Sequence, residues 1–314
     1  MRVYMHRFFP SIWLGEFRTK AEFDALAPQL AEAFSVYDWI DDRLLYSRHS
    51  FTYPAYCSAC ERVTQMRIDW LFGGWGNVTP SVHPAWTETS VCVKCGLNSR
   101  MRASIDFLKT HCDLKKIQRA YIAEQVTPFY RILKRMIPSL IGSEYCGPNH
   151  KGGSRVFIKR YLQWVRHEDL TNLSFADNKF DLVVTLDVFE HIPNYRKAFA
   201  EIYRVLRPDG QLVFTIPFFC DLETTRIRAS VNSDGSIVHH LSPEVHGNPL
   251  SQEGSLCFQN FGWDVLDTLR DVGFADARAA LYWGPWQGHL GYPCFVFYAI
   301  KQSKYSNKGG WNWN

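Results

Sequence analysis

The sequence predicts an α/β chain, a parallel sheet wrapped on both faces by helices, preceded by a small domain that cysteines hold together. Three observations carry this. From Ile117 onward, apolar β-branched runs alternate with segments of helical periodicity. Before it, Cys57-Ser-Ala-Cys60 and Cys92-Val-Lys-Cys95 bracket a Gly/Pro-rich stretch with few periodic apolar positions. The chain has 314 residues, enough for about two domains of roughly 150 residues each.

Composition narrows the class further. Hydrophobic residues at 46% and charged residues at 21% describe a folded chain with a sizeable core and exclude a disordered one. Through Lys116 there are 14 basic and 12 acidic residues, and after it 21 and 19, so each part carries +2. That even split disfavours a nucleic-acid arm or a polybasic membrane anchor. Nine cysteines, an odd number, argue against a fully paired secreted framework. Arg2, Arg7 and Glu16 interrupt the apolar N-terminus, and no run approaches the ~18 apolar residues of a spanning helix. The expected setting is cytoplasmic, with cysteines reduced or metal-bound.

The elements follow in order. Ala21–Phe34 has the spacing of a short amphipathic helix, and Tyr46–Tyr56 reads as extended. Asn98–Cys112 is helical. Arg119–Ala123 reads as a strand, Pro128–Met136 as a helix, and Ser139–Glu144 and Trp164–Glu168 as strands. Phe180–Asp187 is the clearest strand, β-branched and bounded by polar turns. In Asn194–Leu206, Ala198, Ile202 and Leu206 share one helical face; Arg207-Pro208-Asp209-Gly210 turns the chain into a strand at Gln211–Pro217. Residues 218–260 read as a long irregular loop, a length that usually has a binding role. Phe261–Val272 is a helix closed by Gly273, and Ala275–Trp283 and Cys294–Lys301 are strands. Ser303 to Asn314 reads as a ragged tail.

The two C-x-x-C knuckles have the donor chemistry of a tetrahedral zinc site. Each places two thiolates on one turn, and four sulfur ligands leave no open position, so such a zinc is structural. Cys57, Cys60, Cys92 and Cys95 are therefore the candidate metal ligands, with His83 and His111 as lesser substitutes. Four thiols without metal are the competing reading. Cys112, Cys146, Cys220, Cys257 and Cys294 read as ordinary buried thiols.

In an open parallel sheet, ligands settle beyond the carboxyl ends of the strands. Glu144, Asp169 and Asp187 all fall at such ends. A carboxylate there can accept from ribose hydroxyls, and one a strand further on from an adenine amino group; any single one is equally an exposed strand-end acid.

The run Asp169-Leu170, Leu173 through Asp181, Asp187-Val188-Phe189-Glu190-His191-Ile192-Pro193 and Glu201 through Gly210 resembles the class I S-adenosylmethionine-dependent methyltransferases, over about Ile117 to Lys301. It is similar to a subgroup with a cysteine-knuckle pair before the fold that often acts on glycans or other secondary products. The resemblance implies a doubly wound, mostly parallel, seven-stranded Rossmann-like sheet and S-adenosyl-L-methionine as cofactor. It implies Glu144 on the ribose, Tyr145 beside the adenine, Asp169 on the adenine amino group and Leu170 donating its amide to the ring. Asp187 would sit near the methionine end, with His191 lining the pocket below it. Glu190-His191 is alternatively a helix-start pair that caps and packs. The domains expected are 1–116, 117–301 with a substrate loop at 218–260, and a tail at 302–314.

One departure stands out. The family's first strand is followed by a Gly-x-Gly turn, and this chain has Tyr121-Ile122-Ala123-Glu124-Gln125-Val126-Thr127-Pro128 without glycine. Glu124 can still accept from the cofactor's ammonium group, and Thr127 can cap the next helix.

Methyl transfer is an in-line displacement that needs alignment and, for a hydroxyl acceptor, removal of a proton. His239-His240-Leu241-Ser242-Pro243-Glu244-Val245-His246 supplies the candidate bases, His240 and His246; a structural loop or a metal site through His240, Glu244 and His246 competes. Arg226 and Arg228 can hold an acidic group on the acceptor or stand solvated. Trp283, Trp286 and Tyr292 suit sugar stacking or core packing. The reading is a zinc-stapled methyltransferase acting on an oxygen or nitrogen of a small molecule, glycan or peptide. Its alternatives are a non-catalytic binding module with a degenerate second domain and a nucleic-acid methyltransferase.

Overall fold

A computed structural model describes residues 12–45, 47, 49–70 and 83–302, with nothing said of the Tyr292 side chain. The tail from Ser303 and much of the Trp70–Trp86 segment lie outside the described residues. The elements open with β1 (Trp13–Phe17) and α1 (Lys20–Leu44), then β2 (Phe51–Cys57), β3 (Arg62–Ile68), α2 (Trp86–Thr89), β4 (Val91–Cys92) and α3 (Ser99–His111). Thr19 caps α1 through Glu22 N, and Asn98 caps α3 through Met101 N. Helix α1 runs ten residues past Phe34 and tolerates Pro28 in its interior. Both C-x-x-C knuckles sit on this part: Cys57 ends β2 and Cys92 ends β4, in a three-stranded sheet of order β2-β3-β4.

Next come β5 (Ala120–Ile122), α4 (Pro128–Met136), β6 (Ile141–Gly142), β7 (Arg155–Ile158), β8 (Gln163–Arg166), β9 (Phe180–Leu186), α5 (Tyr195–Val205) and β10 (Leu206–Thr215). Pro128 opens α4 where its missing N–H costs nothing, and Thr127 caps it, as its sequence implies. Residues 218–260 are not irregular. They form three small two-stranded ladders from β11 (Arg226–Ile227), β12 (Ala229–Val231), β13 (Ile237–His239), β14 (Val245–Asn248), β15 (Ser251–Leu256) and β16 (Gln259–Asn260). Helix α6 (Asp264–Val272), β17 (Phe274–Gly284) and β18 (His289–Lys301) complete the described chain.

The main sheet has seven strands in the order β1-β17-β18-β10-β9-β5-β6. Strands β6, β5, β9 and β10 run parallel, and β1 lies antiparallel to β17. A seven-stranded sheet is thus present, but it is mixed where the sequence predicts a mostly parallel one; one of its strands, β1, comes from the expected small domain, and the Trp164–Glu168 segment is not one of the seven. Its start pairs antiparallel with β7, and its end continues beside β6 through the parallel bridge Glu144↔His167. The Arg207–Gly210 turn is absorbed into β10 as a register shift between Leu206 and Gln211.

Clustering of the backbone divides the chain into two compact units of interleaved segments. One holds residues 1–116, 126–138 and 278–297, and the other 117–125, 139–277 and 298–314. In the second unit, Leu182, Val183 and Val184 of β9 and Leu212, Val213 and Phe214 of β10 are fully buried. Each such side chain removed from water contributes roughly 1.5–3 kcal/mol. Helix α5 lays Ala198, Phe199, Ile202 and Val205 into the same core, and Lys301 Nζ ties its C-terminus by bonding the carbonyls of Tyr203 and Leu206 at 2.7 Å each.

Candidate functional site

The knuckle cysteines converge. Cys57 Sγ lies 3.7 Å from Cys95 Sγ and Cys60 Sγ 3.9 Å from Cys92 Sγ, and all four sulfurs fall within 4.8 Å of one another. Both knuckles close alike: Glu61 N bonds Cys57 O and Gly96 N bonds Cys92 O, each at 2.8 Å, with Glu61 and Gly96 in the left-handed region. Lys109 Nζ braces the first knuckle through Ser58 O at 2.6 Å and Glu61 Oε1 at 2.7 Å. No disulfide forms among the nine cysteines. Hydrogen bonds from Cys57 and Cys95 hold the Cys92 thiol far below its ordinary range, while burial first, then its cysteine neighbours, push Cys60 up to about 12. His83 is instead paired with Asp42, and His111 stacks on Phe107 at 4.3 Å.

The strand-end acids occupy the carboxyl edge of the second unit. Glu144 is buried, and its Oε1 accepts from Gln125 N at 2.6 Å, so it clasps the glycine-free turn after β5. The Gln125 side chain ties that turn to β8, its Oε1 accepting from Arg166 N at 2.9 Å. Nothing in the sequence marks Gln125, which bonds Glu144 through its backbone and Arg166 through its side chain. Glu124 is half-buried in the same turn. Tyr145 is exposed, with its ring 5.5 Å from that of His167. Asp169 Oδ1 accepts from both N and Oγ1 of Thr171 at 2.8 Å, which fixes the loop that carries buried Leu170. That loop is held by Glu168, fully buried, which accepts from Arg166 Nε at 2.7 Å and from Ser174 N at 2.9 Å. Asp187 ends β9 in the left-handed conformation (φ 48°), its Oδ1 accepting from Thr215 Oγ1 at 2.7 Å.

Beyond Asp187, the sequence-adjacent pair Glu190-His191 stands on a 3-10 turn, not at a capped helix start. Gln259 Nε2 clamps the turn through Ile192 O at 3.1 Å, and Phe258 N bonds Glu190 O at 2.7 Å. Residues of the 218–260 segment thereby bring His246 to Glu190 and His191, with the two imidazole rings 5.3 Å apart at 84°. His246 Nε2 meets Glu244 Oε1 at 2.9 Å, and Arg228 Nη1 meets Glu244 Oε2 at 3.1 Å. Burial raises the Glu190 carboxyl, and Cys257, Glu190 and Glu244 together push His246 up to about 11 against its own burial. His240 stands outside this cluster. It is exposed, and its Nε2 is 2.9 Å from Ser230 Oγ on the β12–β13 ladder. Glu190 and Cys257 are the members that sequence spacing did not single out, because the second half of the cluster arrives 55 residues after the first.

Arg226 is exposed, whereas Arg228 is spent on Glu244 and Asn260. Trp283 is core: it stacks on Tyr37 at 3.7 Å, and Trp286 stays exposed.

Residues 130–214 match the family described as "Methyltransferase domain". The chain is 32% identical over 133 residues to the sterol 24-C-methyltransferase of Neurospora crassa, covering 40% of this chain and 32% of that protein. It is 33% identical over 89 residues to the demethylmenaquinone methyltransferase of Thermus thermophilus, covering 26% of this chain and 39% of that one. The first such relatives are matched over 10% to 32% of their own length. Among solved structures, an S-adenosylmethionine-dependent methyltransferase from Mesorhizobium loti superposes with TM-score 0.42 at 14% identity, over 63% of this chain and 98% of that one. At these values the superposition bears on nothing beyond a loose likeness of backbone. Among the described residues no helix is long and apolar enough to cross a membrane.

Proposed function

We propose that this chain is an S-adenosylmethionine-dependent methyltransferase acting on an oxygen or nitrogen of a small molecule, a glycan or a peptide-type product. The observation that carries it is the row of acids at the carboxyl edge, Glu144, Asp169 and Asp187, inside and around the segment that matches the methyltransferase domain. Their chemistry suits the cofactor: a buried carboxylate for a ribose diol, a half-buried one for an adenine amino group, an exposed Tyr145 ring for stacking, and Glu124 for an ammonium. When bound, the cofactor supplies an electrophilic methyl on a sulfonium. Glu144 holds the ribose and the Gln125 turn with one carboxylate. Leu170 offers its backbone amide beside Asp169. On the acceptor side, His191 and His240 take the acceptor's proton or orient it, and His246, already protonated beside Glu190 and Glu244, orients it.

Cys57, Cys60, Cys92 and Cys95 hold a structural zinc in this reading. With Zn–S at about 2.3 Å a tetrahedral edge is about 3.8 Å, and the sulfur pairs stand at 3.7 and 3.9 Å. A cytoplasmic, reducing setting keeps those thiols available.

A second reading draws on the Gln125 bridge: a turn tied to β8 and clasped by Glu144 suits a non-catalytic module with no cofactor. A crystal structure of the full chain soaked with S-adenosylhomocysteine separates the two. Nucleoside density against Glu144 and Asp169 is expected. Saturating soaks that leave those residues bare would favour the second.

A further inference from the structure

Glu190 is a buried carboxyl group aimed at two histidines. Its side chain is fully buried, and neither Oε1 nor Oε2 has a hydrogen-bond partner. An ionised carboxylate in that state costs several kcal/mol, so something must compensate it. Two imidazole nitrogens face it. His191 Nε2 is 3.6 Å from Glu190 Oε1, and His246 Nδ1 is 3.7 Å from the same oxygen. Both distances exceed a hydrogen bond. They approach the edge of a tetrahedron with metal–ligand bonds of about 2.1 Å, roughly 3.4 Å. The three ligand atoms lie within 4.8 Å of one another.

The outer nitrogens fix the tautomers. His191 Nδ1 is 2.9 Å from Leu256 O, and a carbonyl only accepts, so Nδ1 carries the proton and Nε2 presents a lone pair. His246 Nε2 is 2.9 Å from Glu244 Oε1, whose other oxygen meets Arg228 at 3.1 Å, so Nε2 donates there and Nδ1 is the nitrogen turned to Glu190 Oε1. Two imidazole nitrogens and a buried carboxylate therefore converge, and a cation bound among them would displace the proton His246 shares with Glu190. Outer N–H groups given to a backbone carbonyl and to a carboxylate are the arrangement that orients imidazole ligands on a metal.

We propose that Glu190, His191 and His246 bind a divalent transition-metal cation, with Zn2+ the first candidate. One carboxylate and two imidazoles leave at least one coordination position open, unlike the four-sulfur site. The His191 and His246 side chains keep 19% and 22% of their exposure, so an incoming oxygen ligand can reach the ion. On the methyltransferase reading, and only on it, that ligand is the acceptor: a hydroxyl bound there would become more acidic, lose its proton to water and take the methyl from the sulfonium, which leaves as the thioether. Cation binding itself does not depend on that reading.

The test counts metal on the full chain. Apoprotein is loaded with excess Zn2+, desalted and analysed for metal per chain, for wild type, Glu190→Gln and His246→Gln. Wild type is expected to hold one equivalent more than either variant, whatever the cysteine site holds. Equal metal in wild type and both variants overturns the site. If a variant does not fold, wild type loaded with Co2+ decides alone. A second equivalent adding weak visible bands without sulfur charge-transfer absorption supports the proposal, and its absence refutes it. S-adenosylmethionine binding, measured separately by calorimetry, reports on the methyltransferase reading alone.

Discussion

Removing one knuckle cysteine tests the staple directly. In Cys60→Ser one of four sulfurs is lost from a cluster two of whose six edges, 3.7 and 3.9 Å, match the ~3.8 Å of a zinc tetrathiolate. The apolar core around β2–β4 is small: Tyr53, Ala55, Met66, Ile68, Trp86 and Leu290 besides two of the cysteines themselves. Structural zinc is worth about 10–16 kcal/mol in zinc-finger peptides, against a total stability of about 5–15 kcal/mol for a whole domain. Losing even 5 kcal/mol lowers melting by roughly 10–20 °C in a unit of about 150 residues. The assay is metal content plus thermal unfolding by circular dichroism, with limited proteolysis to locate the opened segment. Cys60→Ser should lose one equivalent of zinc, melt far below wild type and become cleavable between β2 and β4. A variant that keeps the same metal count, or that melts within about 2 °C of wild type, refutes the staple, since even 1 kcal/mol shifts such a unit by about 2–4 °C.

Three further predictions concern other parts of the chain. Asp41 is buried, its Oδ2 accepting from Gly291 N at 2.8 Å, and burial raises its carboxyl to about 7. A folded pKa above the ordinary 3.8 means that stability is full at low pH and falls as pH climbs from about 4 to 7, by about 4 kcal/mol. Asp41→Asn should abolish that fall and melt higher than wild type at pH 8; a wild-type melting temperature that does not drop across this window contradicts it. Gly153 has φ +83°, and a Cβ there meets Arg166 Nη2 at 2.8 Å and Ser174 Oγ at 3.0 Å, so Gly153→Ala should cost about 1–2 kcal/mol by denaturant unfolding. An unchanged midpoint would show that this loop is not held as described. Glu144→Ala removes the clasp on Gln125 and the ribose acceptor together, and should weaken S-adenosylmethionine binding by about 10–100-fold in titration calorimetry. Unaltered affinity would remove Glu144 from the cofactor site.

The parts of the fold set by local chemistry were readable from sequence. Pro128–Met136 and Phe180–Leu186 fall where the cap, the proline and the β-branched run put them. Residues 218–260 were not, because β12 to β15 are short and largely exposed, without the apolar alternation that marks a half-buried strand. The Trp164–Glu168 segment reads as a sheet strand by composition, yet its partner is set by the hairpin from Arg155, which periodicity cannot specify. At the site, the four cysteines announce themselves through fixed spacing. The Glu190–His191–His246 cluster does not, since it depends on Gln259 and Phe258 pinning a distant ladder to the turn after β9. Gln125 illustrates a third case: a glycine-free turn looks damaged in sequence, and only its bonds to Glu144 and Arg166 show how it is held.

Titration of S-adenosylmethionine into the intact, zinc-loaded chain tests the methyltransferase reading most directly. Saturable binding at one site per chain is expected, with a stabilisation of about 2.7 kcal/mol once ligand reaches a hundredfold over Kd. No heat, together with no shift in melting at millimolar ligand, would contradict it.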